Sequence, residues 1–530
     1  MKYLYSSLAT LVFALSSIGV GAAEATKTAS LTIDTGMDAS IDANKPGVTI
    51  DRRIFGQFAE HLGHGIYEGV WVGPSSTIPN TRGIRNDVVA ALKAIRVPVV
   101  RWPGGCFADE YHWRNGIGPA DKRRAGLNPN WGGVVEPNTF GTHEFMDFVE
   151  QIGAEAYISA NVGTGTPQES AEWLEYLTSE HTALAQERAA NGHPAPYKVA
   201  FWGIGNESWG CGGAMSADYY LSQLKLYSRF SRNYLNGQKM QQIAVGPDGG
   251  KTEYTETIMK AWRDKVWSWN IDGLSLHSYT VNGWPPAKKA TGFGEDEYAS
   301  FIKETVGMDD LIKTHSAIMD KYDPAKKIAL VVDEWGSWLA PTPGSKPGFL
   351  MQQNSQRDAI LTALNFNIFA RHADRVRMTN IAQMVNVLQA MILTDKERIL
   401  LTPTYHVFKM YVPFQDATLV PVSIDAGTYA FGDVRLPRVD VIAARDKGGK
   451  LWLALTNVDP NAAVSIAINL RGMNASAALG ETLTAPRIDA VNTFEAPETV
   501  TPKPVKVSIS SNKLAFTLAP QSITVLGVQQ

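Results

Sequence analysis

The chain has 530 residues, of which 44% are hydrophobic and 19% are charged, and its formal net charge is −3. This composition is typical of a globular protein, and the length is too great for one small core, so we expect two domains. The near-neutral charge, without a long basic run, argues against a nucleic acid as the main partner.

The first 25 residues predict a secretory signal peptide. Lys2 precedes an apolar run, small residues follow, and cleavage near Ala23 or Ala25 fits this pattern. A membrane anchor is the alternative, but serines interrupt the run and it is short for a membrane span. We therefore expect a secreted or periplasmic protein with no membrane contact after signal cleavage.

Between residues 50 and 400, strand-like apolar runs alternate with stretches of helical periodicity. The eight runs are 53–61, 97–105, 155–163, 198–207, 242–250, 273–280, 328–336 and 375–385. Eight repeats of a mostly buried strand and a helix predict a (β/α)8 TIM barrel. A doubly wound sheet also alternates strand and helix, but it does not need eight units, and no glycine-rich dinucleotide turn follows the first run.

After about residue 400 the hydrophobic pattern changes to period two, as in LWLALTN at 451–457. Such segments, with turn residues between them, predict a small antiparallel β-sandwich resembling a jelly roll. A further strand before the barrel could pair into the same sandwich. The predicted division is a signal peptide at 1–25, an N-terminal strand at 26–48, the barrel at 49–400 and the sandwich at 401–530.

Polar side chains follow every predicted barrel strand, at the end where the chemistry of such barrels takes place. They are Glu60, Arg101, Asn161, Asn206 with Glu207, Asp248, His277 with Tyr279, Glu334 and Gln383. Any one of them could be a capping or loop residue. Eight together indicate a site at the barrel mouth.

Two carboxylates stand out among these residues. Glu207 ends the fourth strand and Glu334 ends the seventh, so the two would face each other across the mouth. Glycoside hydrolysis needs such a pair, because one carboxyl protonates the leaving oxygen while the other attacks the anomeric carbon or activates water. Asn206 beside Glu207 can donate its amide to a sugar hydroxyl.

Several motifs, in order along the chain, resemble those of one enzyme family. GNES (205–208) and DEWGSW (333–338) are similar to the acid/base and nucleophile motifs of clan A glycosidases. The resemblance narrows to the family-51 glycoside hydrolases, the α-L-arabinofuranosidases, through QFAEHLGHGIYEG (57–69), RWPGGCFADEYHWRNGIGP (101–119), SLHSY (275–279) and RVRMTNIAQMVNVLQAMILT (375–394). It extends from about residue 50 to the C-terminus.

This resemblance implies a retaining, exo-acting enzyme that releases terminal non-reducing arabinofuranosyl residues from arabinose-containing oligosaccharides or polysaccharides. It implies no cofactor and suggests a homo-oligomer. Glu334 would be the nucleophile and Glu207 the acid/base. Arg101 would orient Glu334 and lower its pKa, and Tyr279 would hydrogen-bond the nucleophile, with His277 beside it.

The sugar itself would contact another set of residues, according to the same resemblance. Asn206 would hold the 2-hydroxyl, and Glu60 and Gln383 would bind other hydroxyls. Trp131 would be the aromatic platform for the leaving group. Cys106 stands where some family members have asparagine, so a hydrogen bond to the sugar there would be weaker.

The two cysteines, Cys106 and Cys211, both fall near the predicted barrel mouth. The sequence leaves open whether they form a disulfide or remain two small buried thiols. A nucleophilic system built on Cys106 would leave both glutamates unexplained.

Other function classes fit the sequence less well. His61 and His64 belong to no dense cluster of metal ligands, so we predict no metal site. GPDGGKT at 246–252 lacks the first glycine of a phosphate-binding loop. Two alternatives stay open, namely another clan A glycosidase of the endoglucanase or xylosidase type and a non-catalytic carbohydrate-binding protein.

Overall fold

The computed structural model describes residues 27–34 and 47–529, apart from 266, 282, 426, 472–474, 511 and 512. The predicted signal peptide at 1–25 lies outside the described residues. None of the helices in the described part of the chain has the length and apolar character needed to cross a membrane.

Eight parallel strands close into a barrel in which each strand neighbours the next one along the chain. The strands are Gly56–Phe58, Val99–Trp102, Glu155–Ala160, Val199–Ile204, Gln241–Ala244, Gly273–Thr280, Ala329–Ser337 and Val376–Ile381. Each overlaps one of the predicted runs, so the predicted barrel is confirmed. Side chains such as Val99, Tyr157 and Met378 fill its interior, which is a packed core and not a pore.

Helices surround the barrel and join it to the C-terminal sheets. Their bounds are Asn86–Ala94, Thr142–Ile152, Pro167–Thr178, Ala183–Ala190, Ala217–Phe230, Glu253–Arg263, Glu295–Val306, Met308–Tyr322, Gln356–Arg371 and Pro403–Tyr411. Local sequence explains several helix starts. Thr166, for example, caps the third helix, because its side chain accepts a hydrogen bond from the backbone amide of Glu169. Pro167 follows as the first helical residue, a position that favours proline.

The helix Gln356–Arg371 is buried on all its faces. It contacts the seventh barrel strand on one side and strands of the C-terminal domain on the other. Because the helix packs between two layers, apolar residues occur on all its faces and its sequence shows little amphipathic pattern.

Two sheets form the C-terminal domain. One has the strand order Val422–Asp425, Lys27–Asp34, Val464–Arg471, Lys513–Leu518 and Ser508–Ser510. The other has the order Thr418–Val420, Val439–Arg445, Leu451–Asn457, Ser522–Gln529, Ala477–Leu483 and Lys503–Pro504. Leu453, Ile466 and Leu526 belong to the apolar core of this domain.

The strand Lys27–Asp34 pairs in parallel with Val464–Arg471 and antiparallel with Val422–Asp425. The predicted division of the chain after residues 48 and 400 stays a prediction. Short hairpins outside the two large sheets are Asn80–Thr81 with Ile84–Arg85, Gly126–Asn128 with Val134–Glu136, Ile392–Asp395 with Arg398–Leu401, and Thr428–Phe431 with Val434–Pro437.

Candidate active site

A pocket with an empty volume of about 320 Å³ opens at the C-terminal ends of the barrel strands. Carboxylates, aromatic rings and aliphatic side chains line it, namely Glu60, Leu62, Gly105, Cys106, Trp131, Glu207, Tyr279, Glu334, Trp338, Leu350, Gln383 and Leu388. The pocket therefore suits a small polar ligand such as one sugar ring.

A larger depression, of about 920 Å³, lies at the opposite end of the barrel. Its Asp416 is already engaged in ion pairs with Arg52 at 2.9 Å and with Lys447 at 2.8 Å, and the depression lies away from the barrel mouth, where the chemistry of such barrels takes place. We therefore place the candidate site in the smaller pocket, where two carboxylates face each other.

Glu334 lies near the end of the seventh barrel strand and has a hydrogen-bond donor on each oxygen. Arg101 Nη1 donates to Oε1 over 2.9 Å, and the Tyr279 hydroxyl donates to Oε2 over 2.7 Å. Both donors come from the ends of other barrel strands, so barrel closure brings them to Glu334. This arrangement holds the carboxylate in one orientation with its negative charge stabilised.

Glu207 lies in a tight turn after the fourth strand. Its φ is +38°, and the turn follows Gly205, whose φ of +87° favours glycine. The Glu207 carbonyl accepts hydrogen bonds from the amides of Gly210 and Gly212. The turn thus aims the Glu207 carboxyl into the mouth.

The protonation of Glu207 depends on its surroundings. Burial raises the pKa of its carboxyl above the usual range, and the negative charge of Glu334 adds to the rise, whereas the hydrogen bond from His277 opposes it. The side chain keeps 20% of its surface exposed, so a ligand in the pocket can reach it. A carboxyl of raised pKa is suited to act as a general acid.

His277 lies between the two glutamates. Its Nδ1 is 2.8 Å from Glu207 Oε1 and 3.6 Å from Glu334 Oε1, and its Nε2 is 3.1 Å from Asp333 Oδ1. Burial lowers the pKa of His277, but the charges of Glu334 and Asp333 and its hydrogen bonds outweigh burial and raise the pKa to about 10. His277 is therefore an imidazolium at neutral pH and carries a proton on both ring nitrogens.

The distance between the two carboxylates follows from this arrangement. Glu207, His277 and Glu334 each place one atom within 4.8 Å of the other two. Retaining glycosidases have carboxyl groups about 5–5.5 Å apart, whereas inverting enzymes leave about 6.5–9.5 Å for a water molecule. The observed spacing matches the retaining geometry.

Glu60 is buried at the pocket wall and accepts three hydrogen bonds. Trp131 Nε1 and the Phe107 amide donate to Oε1, at 2.8 and 3.1 Å, and Gln383 Nε2 donates to Oε2 at 3.0 Å. Burial raises the pKa of Glu60 to about 7, Glu334 adds to the rise, and the hydrogen bonds from Phe107 and Trp131 oppose it. The indole of Trp131 is thus anchored to Glu60 while the ring lines the pocket.

Asn206 is oriented by Arg101. Its Oδ1 accepts from Arg101 Nη2 at 2.6 Å, so its amide nitrogen is left to donate, and that nitrogen lies 3.7 Å from Cys211 Sγ. One guanidinium therefore positions both Asn206 and Glu334. Cys106 and Cys211 are joined in a disulfide, which is one of the two arrangements that the sequence left open.

Asn161 and Asp248, at two of the predicted strand ends, neither line the pocket nor share in the hydrogen bonds around the two glutamates that are described above. Asn161 hydrogen-bonds its own loop, accepting from the amides of Thr164 and Gly165. Asp248 accepts from Lys251 Nζ in a partly exposed ion pair. Both match the capping and loop alternative.

Sequence reasoning assigned no role to three residues that the structure brings to the site. Asp333 contacts His277 and accepts a hydrogen bond from the Tyr157 hydroxyl at 2.7 Å. Trp338 lines the pocket. Asp109 accepts a hydrogen bond from the backbone amide of Asn206 at 2.9 Å. Asp333 and Trp338 lie in DEWGSW and Asp109 in RWPGGCFADE, so their motifs were recognised without their roles.

The donor set of the pocket fits proton transfer better than metal binding. Cys106, Glu207 and Cys211 lie close enough to share an ion, as do Glu207, His277 and Glu334. However, sulfurs joined in a disulfide are not thiolates, and an imidazolium has no free nitrogen lone pair.

Two facing carboxyls that share an imidazolium beside a small pocket are the groups that glycoside hydrolysis requires. Together with the barrel, they define a glycoside hydrolase of the (β/α)8 class. Comparison with known proteins narrows this class. Residues 91–243 match the model of the alpha-L-arabinofuranosidase 1 domain, and residues 333–522 match that of the alpha-L-arabinofuranosidase C-terminal domain.

Similar proteins carry names of the same kind. An intracellular exo-alpha-L-arabinofuranosidase from Bacteroides ovatus is 45% identical over 504 residues, covering 94% of this chain and 97% of that protein. An intracellular exo-alpha-(1->5)-L-arabinofuranosidase from Bifidobacterium longum is 29% identical and covers 89% of each chain. The GH51 arabinofuranosidase of Xanthomonas axonopodis pv. citri superposes with a TM-score of 0.91 at 50% identity, covering 95% of this chain and 100% of that one.

The chain belongs to the family-51 glycoside hydrolases and is an α-L-arabinofuranosidase. The resemblance seen in the sequence motifs is confirmed, and neither alternative class is favoured. The predicted secreted or periplasmic location is wrong, because the Bacteroides ovatus and Bifidobacterium longum relatives are named as intracellular enzymes. The prediction rested on an apolar run near the N-terminus, and hydrophobicity by itself does not determine where a protein is located.

Proposed function

We propose that this enzyme releases single arabinofuranosyl residues from non-reducing chain ends by double displacement. The observation that carries this proposal is the separation of at most 4.8 Å between a Glu207 oxygen and a Glu334 oxygen. That spacing leaves too little room for the water molecule of a single displacement.

Glu334 is the nucleophile in this proposal. With Arg101 and Tyr279 donating to its two oxygens, the carboxylate is fixed in orientation for attack on the anomeric carbon. Attack forms a covalent glycosyl-enzyme ester and expels the aglycone oxygen. Asp333 holds the other side of His277 and so keeps the imidazolium in place between the glutamates.

Glu207 is the acid and then the base. Its raised pKa favours the protonated carboxyl, which donates to the leaving oxygen. Once Glu334 is esterified, the negative charge that helped to raise the pKa of Glu207 is gone. The pKa of Glu207 then falls, and the carboxylate can take a proton from the water that hydrolyses the ester.

The remaining pocket residues bind the sugar. The amide nitrogen of Asn206 is oriented to donate to the 2-hydroxyl, and Glu60 and Gln383 are placed to bind other hydroxyls. Trp131 supplies an aromatic face toward the leaving group. The wall beside Cys106 is a disulfide, which has no thiol proton to donate to the sugar.

Exo action is supported by the small pocket and by the names of the Bacteroides ovatus and Bifidobacterium longum relatives. The substrates we propose are arabinose-containing oligosaccharides or polysaccharides of hemicellulose type. We also propose a homo-oligomer, which light scattering on the purified protein would test.

The stereochemistry of the first product tests the mechanism. Proton NMR during early turnover of an aryl α-L-arabinofuranoside should detect arabinose with the α configuration before mutarotation. First-formed β-arabinose would mean a single displacement and would overturn the assignment of Glu334 as nucleophile.

A further inference from the structure

The segment that carries Glu207 is bound to another segment at the pocket rim. The first segment is the turn 206–212 after the fourth strand. The second is the 3-10 helix Cys106–Glu110, which follows the second strand. A disulfide between Cys106 and Cys211 spans 105 residues of sequence and joins the two segments directly.

Both sulfurs lie beside the Glu207 carboxyl. Cys106, Glu207 and Cys211 each place one atom within 4.8 Å of the others, and Cys211 Sγ is 3.6 Å from Glu207 Oε2. Because a disulfide sulfur has no proton, this contact is packing and not donation. The carboxyl is therefore held by His277 at Oε1 and by the disulfide at Oε2.

We propose that the Cys106–Cys211 disulfide is a positioning element for Glu207, and this inference depends on the acid/base role proposed above. The turn 206–212 projects from the barrel, and two hydrogen bonds tie it to its surroundings. The backbone amide of Asn206 donates to Asp109 Oδ2 at 2.9 Å, and Trp209 Nε1 donates to the Gly246 carbonyl at 3.2 Å. The disulfide adds a covalent tie at the far end of the turn, because it joins Cys211 to a segment that lines the sugar site.

Position decides how well a general acid works. Proton transfer needs the acid within hydrogen-bond reach of the glycosidic oxygen, and a misplacement of about 1 Å can cost about 10²-fold in rate. Loss of the disulfide should therefore weaken acid assistance while the nucleophile, held by Arg101 and Tyr279 on other strands, keeps its place.

The disulfide can be opened chemically in the native protein, since Cys211 is exposed and Cys106 half-buried. A dithiol transfers two electrons to the S–S bond, which breaks to leave two protonated thiols, and the dithiol closes to its own disulfide. The chain has only two cysteines, so the reductant acts on this bond alone.

The test compares kcat/KM for two substrates that differ in leaving group. 4-Nitrophenyl α-L-arabinofuranoside needs little acid assistance, whereas the methyl α-L-arabinofuranoside needs much. We expect dithiothreitol to lower kcat/KM at least about tenfold for the methyl arabinoside and less than about twofold for the nitrophenyl arabinoside, reversibly on reoxidation. The variant C106A/C211A should show the same pattern and should not respond to dithiothreitol.

Two controls separate positioning from stability and from the proposed function. Leu453→Ala, in the sandwich core, should lower Tm without discriminating between the substrates. Equal losses on both substrates, no loss on either, or a response of C106A/C211A to the dithiol would overturn the positioning role. If Glu207→Ala itself lost both substrates equally, the acid/base assignment would fail instead, whatever the cysteines did.

Discussion

Arg101 donates from one guanidinium to Glu334, at 2.9 Å, and to Asn206, at 2.6 Å. It thereby fixes the distance between the seventh strand, which carries one carboxylate, and the fourth strand, which leads to the other. A planar, permanently charged fork can do this, whereas a lysine ammonium cannot hold two acceptors in one fixed plane.

Glu207→Ala should harm natural substrates far more than an arabinoside with an acidic nitrophenol. The nitrophenolate leaves without protonation, whereas an alcohol needs the proton that Glu207 supplies. Azide should speed the turnover of this variant, because a small anion can attack the glycosyl-enzyme where the base is missing. Steady-state kinetics on the two substrates would detect both effects, and equal losses would contradict the acid/base role.

Glu334→Ala should lose activity on both substrates together. The covalent route disappears, so the barrier should rise by several kcal/mol, on the order of 10³-fold or more in rate. The measurement is kcat/KM with the same two substrates. If azide instead rescued this variant with a product of retained configuration while Glu207→Ala lost both substrates equally, the two roles would be reversed.

His277→Gln should move the alkaline limb of the kcat/KM profile to higher pH. His277 is an imidazolium whose charge and hydrogen bond oppose the raised pKa of Glu207, so a neutral glutamine lets that pKa rise further. The protonated acid then persists to higher pH. A profile on a poor leaving group measures the shift, and His112→Gln on the partly exposed surface should leave it unchanged. A limb that moves to lower pH would reject this account.

Glu60→Gln should flatten the dependence of folding stability on pH. The folded pKa of Glu60 is about 7 against an ordinary 4.5, so its contribution is fully present below pH 4.5 and is lost as pH rises through 7. That contribution is on the order of 3 kcal/mol at most. Urea unfolding at several pH values would compare the slopes.

Burial also raises the pKa of Asp109 to about 7. Asp109 is present in both Glu60→Gln and the unaltered enzyme, so its effect on the pH dependence of stability cancels when the two are compared. Only the slope between pH 4.5 and 7 is diagnostic, because the amide changes overall stability as well. Parallel curves for Glu60→Gln and the unaltered enzyme would show that Glu60 is ionised throughout.

Gly105→Ala should weaken sugar binding. A Cβ at this position would lie 2.5 Å from Glu60 Oε1, so the carboxyl must shift away from its place in the pocket. Overpacking of this kind costs about 1–3 kcal/mol, and we expect kcat/KM to fall about tenfold, mainly through KM. Gly126→Ala, which meets nothing within 4 Å, is the matched control. An unchanged KM would mean that Glu60 does not contact the sugar.

Periodicity in the sequence was sufficient to predict the barrel. Eight apolar runs with helical stretches between them allow few other folds, and parallel strands in a closed barrel bring all their carboxyl ends to one mouth. The proximity of Glu207 and Glu334 follows from that rule without coordinates. The C-terminal sheets followed in the same way from period-two segments such as 451–457.

Strand ends did not tell which polar side chains enter the pocket. Asn161 and Asp248 occupy strand ends like the others, yet one caps its own loop and the other pairs with Lys251. The direction of a side chain depends on the last turn of backbone and on its rotamer. Neither is encoded in a pattern of apolar and polar residues.

Tertiary structure alone decided the contacts between residues far apart in the chain. His277 between the glutamates, the indole of Trp131 on Glu60, and the union of Cys106 with Cys211 each depend on distances of a few ångströms. Periodicity locates a residue to a strand end, whereas a hydrogen bond or a disulfide needs the atoms themselves in register. The packing of the whole barrel sets these atomic positions, because each of these contacts joins segments that only closure of the barrel brings together.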